Sequence, residues 1–339
     1  MPRIHLLRVT LLLICLDSFA QVATAADWSI EPVGRFVFEE ASIRELSGLS
    51  WDSTAAAAPL YFCVSDAEPV LISLHAAIDV DTGKITSVTM GEPIALTDAS
   101  TDLEGIAFDA KSRSVFISNE SEPGIRQHNA SSGELLNRID ASSHPQLGAF
   151  QGATQNKAWE SLAMSPDGRT IWTANEDSLP SDPAGTIRLQ RFDAALQPTG
   201  QWAYEMSPVP EHWTSKFALG VPDLLVLPGG ALVVMERGFG SIRGGVEARI
   251  QLFQIDFRDA TNLAGGSLDE AARVGKSLLW ESSFNDFNSN FEGLTLGPTL
   301  NNGDRSLLLV ADNGGLSRRH SLFTLRLKAV PHAGVVPGQ

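Results

Sequence analysis

The sequence predicts an all-β chain folded as a single β-propeller. Three observations carry that expectation: a motif repeated five times, a second apolar run after a turn in each copy, and no long helical period between copies. The first half of the repeat reads Leu46-Ser47-Gly48-Leu49-Ser50-Trp51-Asp52, then Leu103-Glu104-Gly105-Ile106-Ala107-Phe108-Asp109, then Trp159-Glu160-Ser161-Leu162-Ala163-Met164-Ser165. Val221-Pro222-Asp223-Leu224-Leu225-Val226-Leu227 and Phe291-Glu292-Gly293-Leu294-Thr295-Leu296-Gly297 complete the set.

The second runs span Tyr61 to Asp66, Val115 to Glu120, Ile171 to Glu176, Leu232 to Glu236 and Leu307 to Asn313, and each ends in acid or amide. Ser165-Pro166-Asp167-Gly168 and Pro228-Gly229-Gly230 supply the tight reversals that make the paired runs hairpins. Two further strands fit after most hairpins, such as Thr186 to Phe192 with Gln201 to Tyr204, and Ile250 to Phe257 with Ser277 to Trp280. Four strands per unit make a blade.

Five blades are expected, with six as the alternative if an insertion hides one. The fifth copy lacks a fourth strand, and the segment Trp28 to Phe38 before the first copy can supply it. Closure by the two termini leaves no open sheet edge on the ring. Residues 27–339 therefore form one domain, with Ala55 to Ala58 and Thr261 to Gly266 as loop insertions.

Residues 1–26 read as a signal peptide: Arg3 and Arg8, an apolar run from Val9 to Ala20, and a small-residue cleavage site near Ala25/Ala26. A secreted or periplasmic location follows as an expectation. The leader is too short to span a bilayer, and no later stretch reaches about 18 uninterrupted apolar residues, so no integral membrane segment is expected. Losing two arginines and one aspartate with the leader takes the formal charge from −15 to −16. Such a surface argues against nucleic acid as a partner and suits a metal cation or a cationic ligand. Cys15 falls inside the leader and Cys63 is the other cysteine, so the mature chain forms no internal disulfide and Cys63 is expected as a buried strand residue. A monomer is the expected state.

A propeller also predicts where the acids go. The first strand of each blade lines the channel and the second runs antiparallel beside it, so the start of one and the end of the other share a rim. Glu104, Glu160 and Glu292 sit at first-strand starts; Asp66, Glu120, Glu176, Glu236 and Asp312 sit at second-strand ends, beside Asn119, Asn175 and Asn313. Like charges crowded at one mouth raise one another's pKa values and call for compensation by a hard cation such as Ca2+, by arginine or lysine, or by protonation. The expected metal set is Glu104, Glu120, Glu160, Glu176, Glu236, Glu292 and Asp312, with the amides as neutral oxygen ligands. The same acids serve equally well, on the second reading, to fix blade geometry by accepting backbone N–H bonds. Asp52, Asp109 and Asp167 fall in hairpin turns at the opposite face and are assigned no chemistry.

Arg237 adjoins Glu236, Arg44 adjoins Glu45, and Arg126 and Lys157 lie near the same rim, where they could clamp a small anionic ester or simply pair with the glutamates. His128, His144, His212 and His320 show no zinc spacing, and no Gly-x-Ser-x-Gly elbow is present.

At Glu45-Leu46-Ser47-Gly48-Leu49, Asp102-Leu103-Glu104-Gly105-Ile106, Trp159-Glu160-Ser161-Leu162, Met235-Glu236-Arg237, Asn290-Phe291-Glu292-Gly293-Leu294 and Ala311-Asp312-Asn313 the chain resembles the phytase-like family of "esterase-like activity of phytase" proteins. The resemblance runs over nearly all of the mature chain and implies a propeller and export. Ser47 and Pro222 break the acidic ring, so a lopsided site centred on Glu104, Glu160 and Glu292 is expected. The leading functional expectation is a metal-assisted hydrolase of phosphate or related esters, with catalytic Glu160, Glu104, Glu292 and Arg237 and substrate-binding Arg126, Lys157 and Arg44. The alternative is a non-catalytic propeller in which a metal pins the blades and outer loops bind a protein partner or an envelope ligand. A third reading, a glycosidase with acids paired across the channel, looks to Trp202, Trp213 and Phe239 as rim aromatics.

Overall fold

In the computed structural model, residues 27–40, 43–55, 59–153, 157–264, 266–269, 271–282, 289–314 and 318–330 are described. The leader, including Cys15, lies outside them, as do residues 56–58 of the first expected loop insertion and residue 265 of the second.

Five antiparallel sheets, four of them four-stranded and one five-stranded, form the blades of a propeller. The chain opens with β1 (Asp27–Glu39), which waits for the last blade. Blade 1 runs from the channel outward as β2 (Leu46–Asp52), β3 (Leu60–Ser65), β4 (Val70–Ile78) and β5 (Ile85–Met90), with a short β6 (Ile94–Ala95) also on β4. Blade 2 follows the same order as β7 (Leu103–Asp109), β8 (Ser114–Asn119), β9 (Gly124–Asn129) and β10 (Leu135–Asp140). Blade 3 comprises β11 (Ala163–Met164), β12 (Thr170–Ala174), β13 (Thr186–Asp193) and β14 (Pro198–Glu205). Blade 4 comprises β15 (Ser215–Val226), β16 (Leu232–Ile242), β17 (Gly245–Asp256) and β18 (Gly275–Glu281). Blade 5 has β19 (Asn290–Thr299), β20 (Arg305–Asp312) and β21 (Arg319–Val330), and β1 pairs antiparallel with β21 from Asp27 opposite Val330 to Glu39 opposite Arg319. The two ends of the chain thus close the ring at the predicted strand, and the count is five.

The apolar alternation of the strands is used between blades. Each pair of neighbouring blades encloses a buried cluster: Leu252 and Phe291 belong to the one between blades 4 and 5, Tyr204 and Val234 to 3 and 4, Tyr61 and Leu308 to 5 and 1, Trp159 and Phe116 to 2 and 3, and Phe62 and Ile117 to 1 and 2. Cys63 is fully buried on β3, where its thiol donates to Ser47 O at 3.1 Å. No helix among the described residues is long and apolar enough to cross a membrane.

The inner strands are irregular at one repeated place. Register shifts fall between Leu46 and Leu49, Leu103 and Ile106, Gly220 and Asp223, and Phe291 and Gly293. In blade 3 the regular ladder shrinks to β11, because Ser161 Oγ accepts from Ala174 N at 3.0 Å and Thr173 Oγ1 donates to Ser161 O at 2.7 Å, replacing ladder bonds with side-chain ones. Such bulges re-aim a side chain beside a site, and in blades 2 and 5 they fall at Glu104 and Glu292. The glycine that follows is a matter of space: a Cβ on Gly105 would lie 2.8 Å from Glu160 O, and one on Gly293 2.7 Å from Leu49 N, both backbone atoms of the next inner strand. Gly105→Ala is therefore expected to destabilise the fold by about 1–3 kcal/mol or more through overpacking, read as a shift of the denaturation midpoint, whereas Gly148→Ala, with nothing within 4 Å, leaves it unchanged.

Candidate functional site

The mouth at which first strands start and second strands end is acidic, as expected, and it divides into two halves. In blades 3 to 5 one cation serves two acids. Arg237, 7 % exposed on β16, forks between Glu176 of blade 3 and Glu292 of blade 5, and its Nη1 also donates to Asn290 Oδ1 at 3.0 Å. Asn290 Nδ2 in turn donates to Glu292 Oε1 at 2.6 Å and Asp312 Oδ2 at 3.2 Å, which ties Arg237, Glu176, Glu292, Asn290 and Asp312 into one network. Burial raises the Glu292 carboxyl to about 7, with Arg237 working against that and Glu176 and Asp312 adding to it.

The other half, in blades 1 to 3, gathers a second set of acids. Single carboxylate oxygens of Asp66, Asp102 and Glu104 lie within 4.8 Å of one another, and so do those of Glu104, Glu120 and Glu160. Glu104 belongs to both groups. No arginine or lysine among the described residues forms an ion pair with Asp66, Asp102, Glu104 or Glu160. Glu104 accepts one hydrogen bond, from Ser47 Oγ at 2.6 Å, so the serine that interrupts the acidic ring in the first copy becomes the donor that steadies the acid of the second. Burial, then Glu292, pushes the Glu104 carboxyl well above the usual carboxylate range, and burial with Glu104 and Glu176 does the same at Glu160. Asp66, half-buried, is raised to about 6 by burial and by Asp102.

Of the residues expected at a site, the structure brings together Glu104, Glu120, Glu160, Glu176, Glu292, Asp312 and Arg237. Glu236 is not among them. It precedes Arg237 on β16, successive side chains on a strand face opposite ways, and its carboxylate is taken by Tyr204 Oη, Ser207 N at 3.0 Å and Lys276 Nζ at 2.7 Å. Arg237 is committed to two glutamates, so it neutralises the mouth from within. Arg126, buried on β9, bonds to Glu122 at 3.0 Å beside Asp140. Lys157 pairs with Asp177 at 2.9 Å with its side chain 40 % exposed, and Arg44 is exposed.

The amides are also engaged within their own loops. Asn119 Nδ2 donates to Thr101 O and its Oδ1 accepts from Glu122 N; Asn175 Nδ2 donates to Asp177 O and its Oδ1 accepts from Arg188 N; Asn313 Nδ2 reaches Arg319 O. Two of the expected rim aromatics are core residues: Trp202 packs tilted against Trp172 and edge-on to Phe257 between blades 3 and 4, and Trp213 is buried against Gly240. His128 and His320 are buried on backbone carbonyls, Gly133 O and Ile43 O. Asp52, Asp109 and Asp167 hold the hairpin turns at the far mouth, as anticipated, with Asp52 accepting from Thr54 N and Arg113.

Three residues escaped the sequence reading. Asp102 and Asn290 stand immediately before the repeated motif of their copies, at the place Glu45 holds in the first, and that shared position was the available signal. Asp223 is buried at the axis, where Leu162 N, Leu224 N and Leu294 N donate to it, so this acid joins blades 3, 4 and 5 by backbone bonds. Proline at 222 gave no hint of that role.

The family model "Phytase-like: Esterase-like activity of phytase" matches residues 42–315. The chain belongs to the phytase-like family. No curated protein matches the chain significantly. Among solved structures, Myxococcus xanthus glutaminyl cyclase is similar at 12 % identity with a TM-score of 0.37, over 89 % of this chain and all (100 %) of that one. Kuenenia stuttgartiensis hydrazine synthase is similar at 11 % identity and a TM-score of 0.37, covering 82 % of this chain and 80 % of that one. The polycomb repressive complex 2 of Chaetomium thermophilum gives 10 % and 0.42, over 84 % of this chain and 68 % of that one. Likeness of this degree says nothing of chemistry.

The raised acids of this phytase-like mouth make stability depend on pH in a defined direction. Their folded pKa values exceed the unfolded ones, so the folded state binds protons more tightly and stability falls as pH rises between the two. For metal-free protein the window is set by Asp66 at about 6 and Glu292 at about 7. The melting temperature in chelator is expected to drop by several degrees from pH 5 to pH 8; a rise over that span contradicts the electrostatics described.

Proposed function

We propose that the chain is an exported hydrolase of phosphate or related esters that works with a divalent cation, calcium by the all-oxygen donor set, at the acidic channel mouth. One observation carries this reading: Asp66, Asp102, Glu104 and Glu160 crowd one half of the mouth without a protein cation, while the other half is neutralised by Arg237. Buried carboxylates left in that state favour a hard cation with several oxygen ligands. Glu104 is common to both groups that could hold it, with Glu120 and Glu160 on one side and Asp66 and Asp102 on the other. A bound cation supplies Lewis-acid stabilisation of charge on a phosphoryl oxygen.

The remaining roles fall to this chain's own groups. Glu160 is the general base: it is 6 % exposed, burial and the neighbouring acids raise its carboxyl above the usual carboxylate range, and no described residue donates a hydrogen bond to its side chain. Lys157 and Arg44 are the rim cations left to meet a substrate anion, since Arg237 is engaged and Arg126 is buried in blade 2. Ser47 keeps Glu104 oriented. Export rests on the leader read in residues 1–26.

The test is an assay of phosphomonoester, phosphodiester and carboxylester p-nitrophenyl substrates with calcium and with chelator. Turnover on a phosphate ester that chelation abolishes is expected, and Glu160→Gln is expected to lower the rate about 100-fold or more in protein that still unfolds cooperatively. Absence of turnover on every substrate, with chelation still lowering the melting temperature, makes the cation structural and removes the hydrolase reading.

A further inference from the structure

Glu104 on β7, Glu120 just past β8 and Glu160 shortly before β11 present carboxylate oxygens within 4.8 Å of one another, although they come from three stretches of chain. One side chain ties those stretches together. Ser118 on β8 is fully buried; its Oγ accepts from Gly105 N at 2.8 Å and donates to Glu160 O at 3.0 Å, with Gly105 O farther off at 3.4 Å. Gly105 follows Glu104, and Glu120 stands two residues beyond Ser118. The hydroxyl therefore pins blade 2 to blade 3 at the backbone that carries these acids.

The fold itself does not require a hydroxyl at this place. Val64 in blade 1, Ala174 in blade 3 and Val310 in blade 5 hold the corresponding position, opposite Gly48, Ser161 and Gly293. Three blades thus close around an apolar side chain where blade 2 has a hydroxyl, and that hydroxyl lies beside the acids that lack a protein cation. Both of its hydrogen bonds go to backbone atoms, so Ser118 is no ligand.

We propose that Ser118 is a positioning residue that fixes the spacing of Glu104 and Glu160, and so makes the site select calcium over magnesium. Ser118 acts through the cation proposed above for the acidic mouth. Calcium takes six to eight oxygens at about 2.3–2.6 Å, whereas magnesium demands a near-octahedral set at about 2.0–2.1 Å. Backbones pinned at a fixed separation keep the carboxylates from closing on the smaller ion. Once unpinned, they can contract around it.

Isothermal titration of chelator-treated full chain with calcium and with magnesium tests this in wild type, Ser118→Val and Ser118→Thr. The two variants have the same shape and differ in the hydroxyl, and valine already fills the corresponding position in blades 1 and 5. The preference for calcium, read as the ratio of the two dissociation constants, is expected to fall about fivefold or more in Ser118→Val and to stay within about twofold of wild type in Ser118→Thr. Ser118→Ala is expected to behave as Ser118→Val and keeps the test open if the larger side chains disturb the strand. Equal weakening of both ions in the valine and alanine variants, or an unchanged preference, overturns the proposal and leaves Ser118 a structural residue. A wild-type chain that binds neither ion removes the cation reading and this role together, whereas one that prefers calcium regardless of the hydroxyl removes the role of Ser118 alone.

Discussion

Arg237→Leu is expected to destabilise the protein by about 3–5 kcal/mol at pH 8, the range seen when one partner of a buried ion pair is removed. The arginine is 7 % exposed and forks between Glu176 and Glu292, two acids whose charges otherwise face each other across the mouth. Without it they must take up protons or remain buried and uncompensated. Burial already lifts Glu292 to about 7 with Arg237 in place, so protonation becomes available as the pH falls and the penalty shrinks. Urea denaturation at pH 8 and pH 5.5 checks both statements: the loss should be larger at pH 8, and Glu292→Gln added to Arg237→Leu should recover part of it. A loss below about 1 kcal/mol at pH 8 contradicts the network described.

The second large effect concerns the unneutralised half. Calcium at about 100 times its dissociation constant is expected to stabilise chelated protein by about 2.7 kcal/mol, the mass-action value for a ligand bound by the folded state alone. Glu104→Gln is expected to abolish that stabilisation, because Glu104 belongs to both groups of acids close enough to share an ion. Glu292→Gln should retain most of it, because that carboxylate is matched by Arg237. The two substitutions remove the same charge from the same channel, so a difference between them reads position and not overall charge. Thermal unfolding with and without calcium measures it, and equal responses of the two variants would place the cation elsewhere.

Much of this arrangement was legible in the chain because it repeats. A motif returning five times fixes the blades, and residues 28–38 supply the strand that the fifth copy lacks. The symmetry of a propeller then carries Glu104, Glu160 and Glu292 to one axis without any knowledge of side-chain positions. Recurrence also identified the hairpin-turn acids Asp52, Asp109 and Asp167 as holders of local structure.

What repetition cannot convey is which way each carboxylate turns and what reaches it. Glu236 and Arg237 are neighbours in sequence, and strand alternation sends one to Lys276 and Tyr204 and the other to Glu176 and Glu292. Asn119 and Asn175 match the composition of a ligand set and are also drawn into backbone bonds of their own loops. Pro222 breaks the acidic ring, and Asp223 beside it, which the sequence did not single out, joins three blades. The sequence by itself determined the repeat, the ring and the rim on which the acids gather, since these follow from strand period and closure. The tertiary structure alone decided which acids find a counter-charge and which do not, because that depends on contacts between blades some 60 residues apart, set by bulges and by the close approach that Gly105 and Gly293 permit.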